Sequence, residues 1–486
     1  MISEILQSER TTQWREALRK SLKAKQRTEI SRVKMPEVDA NIRNRNYEEV
    51  NLGLTPELAV SEAQRCLDCV DPTCISGCPV EINIPKFIKQ IEQGEFLEAA
   101  KTLKETNTLP AVCGRVCPQE RQCECRCIYP LKLKKGPVAI GHLERFAADY
   151  ERDTGQISIP ATLPPNGIKI AVVGSGPAGL AFAGDMAKLG YDVTVFEALH
   201  KLGGVLRYGI PEFRLPNYVV DAEIDGLRKM GVKFETNVVI GKTISQEELK
   251  ANGFRGIFVG SGAGLPNFMN IPGENLNGVL SCNEYLTRVN LMQAPNGDTP
   301  VQVGKNVAVI GGGNTAMDAV RTALRLGAER AMIVYRRSEK EMPARIEEVH
   351  HAKEEGVEFL TLHNPIRYEG DERGRVCRME LQRMMLGEPD ASGRCRPIAI
   401  EGDTTWIDVD EVIVSVGVSP NPLIPQTFLG MDVTKRGTII VDENTMQVSD
   451  SEMFAGGDIV RGGATVILAM GDGRKAAREM DRVLMD

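Results

Sequence analysis

The segment IKIAVVGSGPAGLAFAGDMAKLGYDVTVFEA, residues 168–198, decides the fold. An apolar run is followed by a glycine turn, a helical pattern and a second apolar run, which is the pattern of one βαβ unit. The turn contains GxGxxG and the residues inside it: Gly174, Gly176, Pro177, Ala178 and Gly179. These glycines permit a tight turn and let backbone N–H groups approach a pyrophosphate at the helix start. The segment therefore predicts a doubly wound α/β domain that binds a dinucleotide.

Glu197 ends the second strand of this unit. A carboxylate at that position accepts hydrogen bonds from the ribose hydroxyls of an adenosine. It would repel a 2′-phosphate, so the first site is predicted to hold an adenine dinucleotide without that group.

A second βαβ unit follows in KNVAVIGGGNTAMDAVRTALRLGAERAMIVYRRS, residues 305–338. Its predicted nucleotide-binding residues are Gly311, Gly313, Asn314, Thr315 and Ala316. Its second strand ends not in an acid but in Arg336 and Arg337, a pair suited to grip a 2′-phosphate. The alternative is that two arginines merely solvate a strand end. The pattern favours NADPH over NADH, and two sites in one chain suggest hydride transfer between bound cofactors, one of them a flavin.

The C-terminal segment supports a flavin in the first site. Four residues there are predicted to contact it: Gly457, Asp458, Ala464 and Thr465. Asp458 can bond a ribityl or pyrophosphate group, and the N–H groups at the start of the last helix can stabilise negative charge on a reduced flavin ring. If these residues complete the first domain, the NADPH domain is inserted within the FAD domain.

Nine of the twelve cysteines lie between residues 66 and 127. Cys66-x₂-Cys69-x₄-Cys74-x₃-Cys78-Pro resembles a ferredoxin run, and Cys117-x₅-Cys123-x₃-Cys127 forms a second group. Clustered cysteines with two Cys-Pro steps favour iron–sulfur clusters; zinc is the alternative. A dithiol reductase of the thioredoxin reductase type would need CxxC in the nucleotide domains. The other cysteines, Cys282, Cys377 and Cys395, stand alone and are expected to be buried or idle.

Composition limits the class of protein. The chain has 486 residues, 42% hydrophobic and 26% charged, with a formal net charge of −7. The acidic balance argues against a nucleic-acid or anionic-membrane binder. With no apolar signal core and no run of about 18 apolar residues, a cytoplasmic protein is predicted. Trp14, Leu18 and Leu22 predict an N-terminal helix, read as a docking helix or a partly disordered tail.

Several motifs resemble one family. GGVLRYGIPEFRLP (203–216), GGGNTAMD (311–318), FAGGDIVRG (454–462) and LPAVCGRVCPQE (109–120) are similar to signature stretches of the glutamate synthase small-subunit family. That family includes the large subunit of NADH-dependent ferredoxin:NADP oxidoreductase and the N-terminal part of dihydropyrimidine dehydrogenase. The resemblance runs from about residue 45 to the C-terminus, and it implies that Gly204 and Arg207 contact a cofactor.

The resemblance also implies how iron is held in two [4Fe–4S] clusters. Cys66, Cys69, Cys74 and Cys127 go to one cluster. The other takes Cys78, Cys117, Cys123 and, as a carboxylate ligand, Glu144. Cys113 and Cys125 are left over, and Cys125 remains an alternative to Cys123 or Cys127.

The implied architecture is an α-helical double [4Fe–4S] domain followed by two doubly wound, glutathione-reductase-like domains. The predicted ranges are 1–45 for a helix and arm, 46–160 for the iron–sulfur domain, 165–295 with 425–486 for the FAD domain, and 296–424 for the NADPH domain.

The implied function is an NADPH-oxidising subunit of a hetero-oligomeric glutamate synthase. It would pass electrons through FAD and the clusters to an FMN-containing large subunit that makes glutamate from glutamine and 2-oxoglutarate. The alternative is the NADP(H)-binding subunit of an electron-bifurcating ferredoxin:NADP oxidoreductase, whose partner carries a second FAD and a [2Fe–2S] centre. A third class, an iron–sulfur scaffold without turnover, is disfavoured by the two intact glycine turns.

Overall fold

The N-terminal part of the molecule is helical. The computed structural model describes residues 2–293, 300–390, 393–449 and 452–485. The helices of this part are α1 (Ile2–Arg10), α2 (Gln13–Ser21), α3 (Ala24–Glu29), α4 (Ala40–Arg43), α5 (Pro56–Gln64), α6 (Thr73–Ser76), α7 (Ile84–Gln93), α8 (Phe96–Thr106), α9 (Pro110–Val116) and α10 (Ile140–Asp153). None of the helices in the described ranges has the length and apolar character needed to span a bilayer.

Helix α7 shows why these short helices form. Phe87, Ile88 and Ile91 share one face and are fully buried, so packing stabilises the helix. The side chain of Asn83 accepts a hydrogen bond from the first turn, and Gly94 ends the helix in the left-handed region with φ +87°. α7 packs on α8, and α10 packs on α8 and α9, which makes a compact module around the cysteines.

Within the described ranges, fifteen strands follow. They are β1 (Lys169–Val173), β2 (Asp192–Glu197), β3 (Lys233–Thr236), β4 (Phe254–Val259), β5 (Ala263–Pro266), β6 (Val279–Ser281), β7 (Asn306–Ile310), β8 (Arg330–Tyr335), β9 (Glu358–Thr361), β10 (His363–Gly370), β11 (Val376–Pro389), β12 (Cys395–Asp408), β13 (Glu411–Val414), β14 (Val418–Pro420) and β15 (Met453–Ala455). The helices between them are α11 (Pro177–Lys188), α12 (Val205–Tyr208), α13 (Asn217–Lys229), α14 (Gln246–Ala251), α15 (Cys282–Leu286), α16 (Asn314–Leu326), α17 (Ile346–Glu354), α18 (Leu423–Thr427), α19 (Asp458–Arg461) and α20 (Val466–Met485).

Two parallel sheets form the nucleotide domains. The first has the order β15-β4-β1-β2-β3 and the second β6-β13-β7-β8-β9. β1 and β7 are almost wholly buried because both faces of each sheet are covered. In the second sheet, α16 packs on one face of β7, and the antiparallel strands β10 and β11 pack on the other. β15 returns to the first sheet after the second is complete, so the second domain is inserted in the first. The predicted α/β class and order of parts are confirmed.

The start of the inserted domain differs from the sequence-based range. The predicted boundary at residues 295–296 lies outside the described residues. β6, at residues 279–281, already pairs with β13 of the second sheet. This short strand therefore belongs to the second domain, although the predicted FAD-domain range included it. Its three residues are too few to show a pattern from which this could be predicted. The other domain ranges stay predictions.

The smaller sheets complete the fold. β10, β11 and β12 form an antiparallel sheet within the second domain, and β14 pairs with β5 between the domains. One hydrophobic core runs from the cysteine module into the first nucleotide domain, joining Ile88 and Val112 to Phe182 and Phe258. The helical module is therefore packed firmly on the first sheet rather than tethered to it.

Candidate functional site

A single cleft joins the two nucleotide domains. It has a volume of about 1340 Å³ and lies where β1, β2, β7 and β8 end. The predicted residues that line it are Gly174, Gly176, Pro177, Ala178, Glu197, Gly204, Gly311, Gly313, Asn314, Thr315, Arg336, Arg337, Gly457, Asp458, Ala464 and Thr465. The structure thus brings together residues that are up to 291 positions apart (465 minus 174) in the sequence.

The first glycine turn contains two kinds of glycine. Gly174 has φ +99°, and a Cβ there would lie 2.7 Å from the Gly260 carbonyl oxygen. A Cβ on Gly179 would lie 2.1 Å from the Gly174 oxygen. A Cβ on Gly176 would lie 4.0 Å from its nearest neighbour, the Gly260 oxygen, so this glycine faces open space in the cleft. A pyrophosphate fits that space, as the dinucleotide prediction requires.

Glu197 is fixed at the edge of this turn. It is 6% exposed. One carboxylate oxygen accepts hydrogen bonds from the Ser175 backbone N–H at 2.9 Å and the Ser175 hydroxyl at 2.5 Å; the other accepts from the Leu199 N–H at 2.9 Å. The oxygen that accepts from Leu199 has a second lone-pair direction open to a ligand. The carboxylate is therefore pre-oriented for a ribose.

The C-terminal segment closes the same site. Gly457 has φ +77° and packs against Ala178; a Cβ on Gly457 would lie 2.9 Å from the Ala178 Cβ. Asp458 accepts a hydrogen bond from the Ala464 N–H at 3.1 Å. Burial raises the pKa of Asp458 to about 6. The start of α20 follows directly, which places a helix N-terminus at the cleft wall.

The second glycine turn repeats this arrangement. Gly311 has φ +145°, and a Cβ there would lie 2.3 Å from the Ser415 oxygen. Gly313 faces open space, with the Pro343 ring 4.0 Å away. The residues present therefore fit a second dinucleotide.

The two predicted arginines differ from each other. Arg336 is exposed on the cleft wall and makes no hydrogen bond or ion pair within the described ranges. Arg337 is buried, and its guanidinium donates to the Cys395 carbonyl at 2.8 Å and to Asp390 at 3.1 Å. Of the two arginines expected to bind a 2′-phosphate, Arg336 is thus available to a ligand, whereas Arg337 anchors the β12 hairpin.

Three predicted cofactor residues lie behind the cleft wall. Gly179 and Ala316 occupy the third position of each turn, where a small residue lets the helix sit close to its strand. Arg207 is buried and pairs with Asp221. Its contact with a cofactor, implied by the family resemblance, stays a prediction.

The first cysteine group surrounds a small cavity. Cys66, Cys69, Cys74 and Cys127 line it together with apolar residues such as Ile88. Burial raises the pKa of the Cys66 thiol to about 12, against the opposing charge of Lys89. The metal-free Cys66 thiol is therefore protonated at neutral pH, and binding of iron there would release its proton.

The second group meets at α10. The Glu144 charge lies close enough to Cys78, Cys117 and Cys123 to raise the pKa of each thiol, in addition to the effect of burial. Glu144 is buried, accepts a hydrogen bond from the Asn107 amide at 2.7 Å, and has its pKa raised to about 8 by burial. Both predicted ligand sets are thus neighbours in space, although their role as ligands stays a prediction.

The spacing of the thiols bears on the zinc alternative. Four thiolates on one zinc at about 2.3 Å lie roughly 4 Å apart. Within the described ranges, the one group of metal-binding side chains with ligand atoms within 4.8 Å of each other is Glu37, Glu347 and His351. Both of its carboxylates pair with arginines, Arg43 and Arg345. No three cysteines of the described residues have their sulfurs within 4.8 Å of one another. The choice of an iron–sulfur cluster over zinc stays a prediction.

The spare cysteines have other partners. Cys125 donates to the Gln122 carbonyl at 3.0 Å, and Cys113 lies 3.5 Å from the Met470 sulfur beside Cys117. Of the three cysteines expected to be buried or idle, Cys282 is buried, Cys395 is partly buried and Cys377 is exposed. Cys377 is on β11, whose side chains alternate between core and solvent.

Sequence reasoning missed residues that reach the cleft from other parts of the chain. Val116, Pro118 and Arg121 of the cysteine module line it. Arg214 donates to both oxygens of Asp318 at 2.7 Å, joining the first domain to the second. No local pattern marks such residues, because their partners are distant in sequence.

Comparison with known proteins agrees with this geometry. Residues 43–156 match the family model described as dihydropyrimidine dehydrogenase domain II, 4Fe-4S cluster, and residues 168–473 match that of pyridine nucleotide-disulphide oxidoreductase. The glutamate synthase [NADPH] small chain of Azospirillum brasilense is 37% identical, over 90% of this chain and 91% of the relative. The chain belongs to the glutamate synthase [NADPH] small chain family.

Other relatives extend the picture. The NADPH-Fe(3+) oxidoreductase subunit beta of Geobacter sulfurreducens is 38% identical, over 87% of this chain and 65% of that one. The solved structure of Mycobacterium tuberculosis FprA in complex with NADPH shares the fold, with a TM-score of 0.56 and 19% identity over 66% of this chain and 85% of FprA. Membership in the small chain family confirms the predicted enzyme class, an NADPH-dependent flavin oxidoreductase with a 4Fe-4S domain.

Proposed function

We propose that this small-chain protein oxidises NADPH and delivers the electrons, through FAD and two [4Fe–4S] clusters, to a glutamate synthase large subunit. The observation that carries the proposal is the cleft itself. Both glycine turns open into it, and its wall includes Val116 and Pro118 beside Cys117. Two nucleotides and one cluster bound at these residues would be neighbours.

Each part of the cleft has a proposed task. The turn at Gly176, Glu197 and Asp458 holds FAD, and the turn at Gly313 with Arg336 holds NADPH. FAD, when bound, supplies the conversion between a hydride and single electrons. The protein contributes position and exclusion of water, and no side chain need act as acid or base.

The cluster ligands follow the two cysteine groups. Cys66, Cys69, Cys74 and Cys127 hold one cluster. Cys78, Cys117, Cys123 and Glu144 hold the other, for which Glu144 must lose the proton that burial favours. The proximity of each set in the structure supports this assignment.

The test is a count of cofactors and a reduction. Anaerobically purified protein should contain about eight irons and one FAD per chain. Addition of NADPH should bleach the flavin absorbance. Four irons would reject the second cluster, bound zinc would reject the ligand assignment, and an unbleached flavin would reject the function.

Arg336 tests the choice of nucleotide. Because its guanidinium is exposed on the cleft wall, Arg336→Ala should raise the KM for NADPH by more than about tenfold and leave the KM for NADH nearly unchanged. Lys340→Ala, at another exposed cation on the same loop, is the control. Equal changes for both nucleotides would place the 2′-phosphate elsewhere.

The partner is part of the proposal, as is a cytoplasmic location. Capture of the native complex should recover a companion of amidotransferase size. A small companion with a flavin and a [2Fe–2S] centre would instead favour the bifurcating assembly.

A further inference from the structure

Arg121 connects the cysteine module to the second nucleotide domain. It belongs to the short 3-10 helix Gln119–Arg121, between Cys117 and Cys123. Its guanidinium donates to three successive carbonyl oxygens: Pro343 at 2.9 Å, Met342 at 3.0 Å and Ala344 at 3.1 Å. One exposed cation thus holds the carbonyls of a whole loop segment.

The same loop, residues 342–346, is held by further bonds to the cysteine module, among them one from Arg345 to the Gln119 side chain at 3.1 Å. The Arg345 guanidinium donates to the Arg115 carbonyl at 2.5 Å, and the Ile346 N–H donates to the Glu120 carboxylate at 3.2 Å. Donors and acceptors therefore alternate across the contact, so that neither side can slide without breaking several bonds.

At its other face the loop touches the second glycine turn. The Ala344 N–H donates to the Gly312 carbonyl at 3.1 Å, and the Arg345 N–H donates to the Asn314 side chain at 2.8 Å. The Pro343 ring is the nearest atom group to the open space at Gly313. A dinucleotide entering this turn must therefore meet a loop that Arg121 holds.

We infer that loop 342–346 couples the two sites, so that occupancy of the second glycine turn changes the reduction potential of the cluster at Cys117 and Cys123. The inference rests on the proposed function. Hydrogen bonds and charges near thiolate ligands set cluster potentials, and Arg121 is between two of those ligands in the chain. A nucleotide that shifts Asn314 or Pro343 shifts the carbonyls on Arg121.

Because the two equilibria are linked, the effect can be measured either as a change in nucleotide affinity or as a change in cluster potential. If the reduced cluster binds nucleotide tenfold more tightly or more weakly than the oxidised cluster, nucleotide shifts the potential by 59 mV for this one-electron couple. Arg121 acts as a positioning residue, so its loss should remove the coupling without removing either site.

The experiment uses the full chain with its iron and FAD content measured. The probe is 2′-phospho-ADP-ribose, which has the pyrophosphate and the 2′-phosphate but no nicotinamide to reduce. EPR-monitored redox titrations with and without probe should show a shift of 20 mV or more in one cluster signal, an effect size that corresponds to about a twofold change in affinity. Probe affinity for oxidised and reduced protein should differ by the matching factor.

The variants separate coupling from structure. Arg121→Ala should abolish the shift and keep the iron content, Arg121→Lys should retain part of it, and Arg255→Ala should behave as the unmodified protein. Arg255 is exposed on β4 and has no hydrogen bond or ion pair within the described ranges. A probe that binds without shifting either cluster, or a full shift in Arg121→Ala, overturns the coupling while the proposed function stands. Missing cluster signals or missing probe binding would overturn both.

Discussion

Individual glycines in the two turns have separate tasks, which their surroundings distinguish. Gly174 and Gly179 are small because backbone atoms lie where a side chain would be. Gly176 and Gly313 are small although nothing in the protein crowds them. The first kind serves the fold, and the second kind serves a ligand.

A matched pair of substitutions tests this distinction. Gly176→Ala should fold with nearly unchanged stability, since Gly176 has φ −69°, but its FAD content should fall by about tenfold or more because a methyl group fills the pyrophosphate space. Gly179→Ala should lose about 1–3 kcal/mol of stability, because its Cβ would overlap the Gly174 oxygen. Thermal melts and flavin content measure both. Normal FAD binding in Gly176→Ala would contradict the assignment of the turn.

Strand β13 carries a buried carboxyl group at its first residue. It begins at Glu411, whose carboxylate accepts the Gly304 N–H at 2.7 Å while its other oxygen has no hydrogen-bond partner among the described residues. Burial raises the pKa of Glu411 to about 7. The strand lies between β6 and β7 in the second sheet, and the burial of Glu411 there favours the protonated form of its carboxyl.

The pH dependence of stability follows from that pKa. Between about pH 4.5 and 7 the folded state keeps a proton that the unfolded state releases, so stability is lost as the pH rises through this window. The difference amounts to about 3 kcal/mol. Glu411→Gln, which stays neutral and can still accept the Gly304 N–H, should therefore melt at a higher temperature than the unmodified protein at pH 8 and at nearly the same temperature at pH 5. Glu372→Gln, at an exposed position, is the control. An equal change at both pH values would contradict the explanation.

At the scale of the whole molecule, long-range ion pairs join the parts. Asp68 is in the loop between Cys66 and Cys69, is fully buried, and pairs with Arg15 and Arg19 of α2. Helix α2 is thus docked beside the first cysteine group. Of the two predicted possibilities for this helix, the structure shows the docking helix and not the disordered tail.

Removal of this cover should affect the first cluster site selectively. In Arg15→Ala/Arg19→Ala, Asp68 is left buried without a cation, which costs several kcal/mol unless the helix leaves. The iron–sulfur absorbance should then decay several-fold faster in air, with half of the iron lost in the fast phase. Lys20→Ala, whose side chain is 76% exposed on the same helix, should decay at the normal rate. A uniform loss of all iron would mean that α2 stabilises the module as a whole.

The sequence by itself determined the features that depend on short spacing. The glycine turns, the apolar strands around them and the cysteine runs are local patterns, since the conformation of a turn is set by residues a few positions apart. They sufficed to predict two doubly wound domains and a helical cysteine module. The insertion of one domain in the other followed only on the condition that the C-terminal segment returns to the first domain.

The tertiary structure decided everything that depends on which distant segments meet. It separated an exposed Arg336 from a buried Arg337, drew β6 into the second sheet, and brought Arg121 against residues 342–344. Such contacts join residues more than fifty positions apart in the chain, and packing of the whole molecule selects them. A pattern of a few neighbouring residues cannot predict these contacts, because the local conformational energy that it reflects does not depend on the position of the rest of the chain.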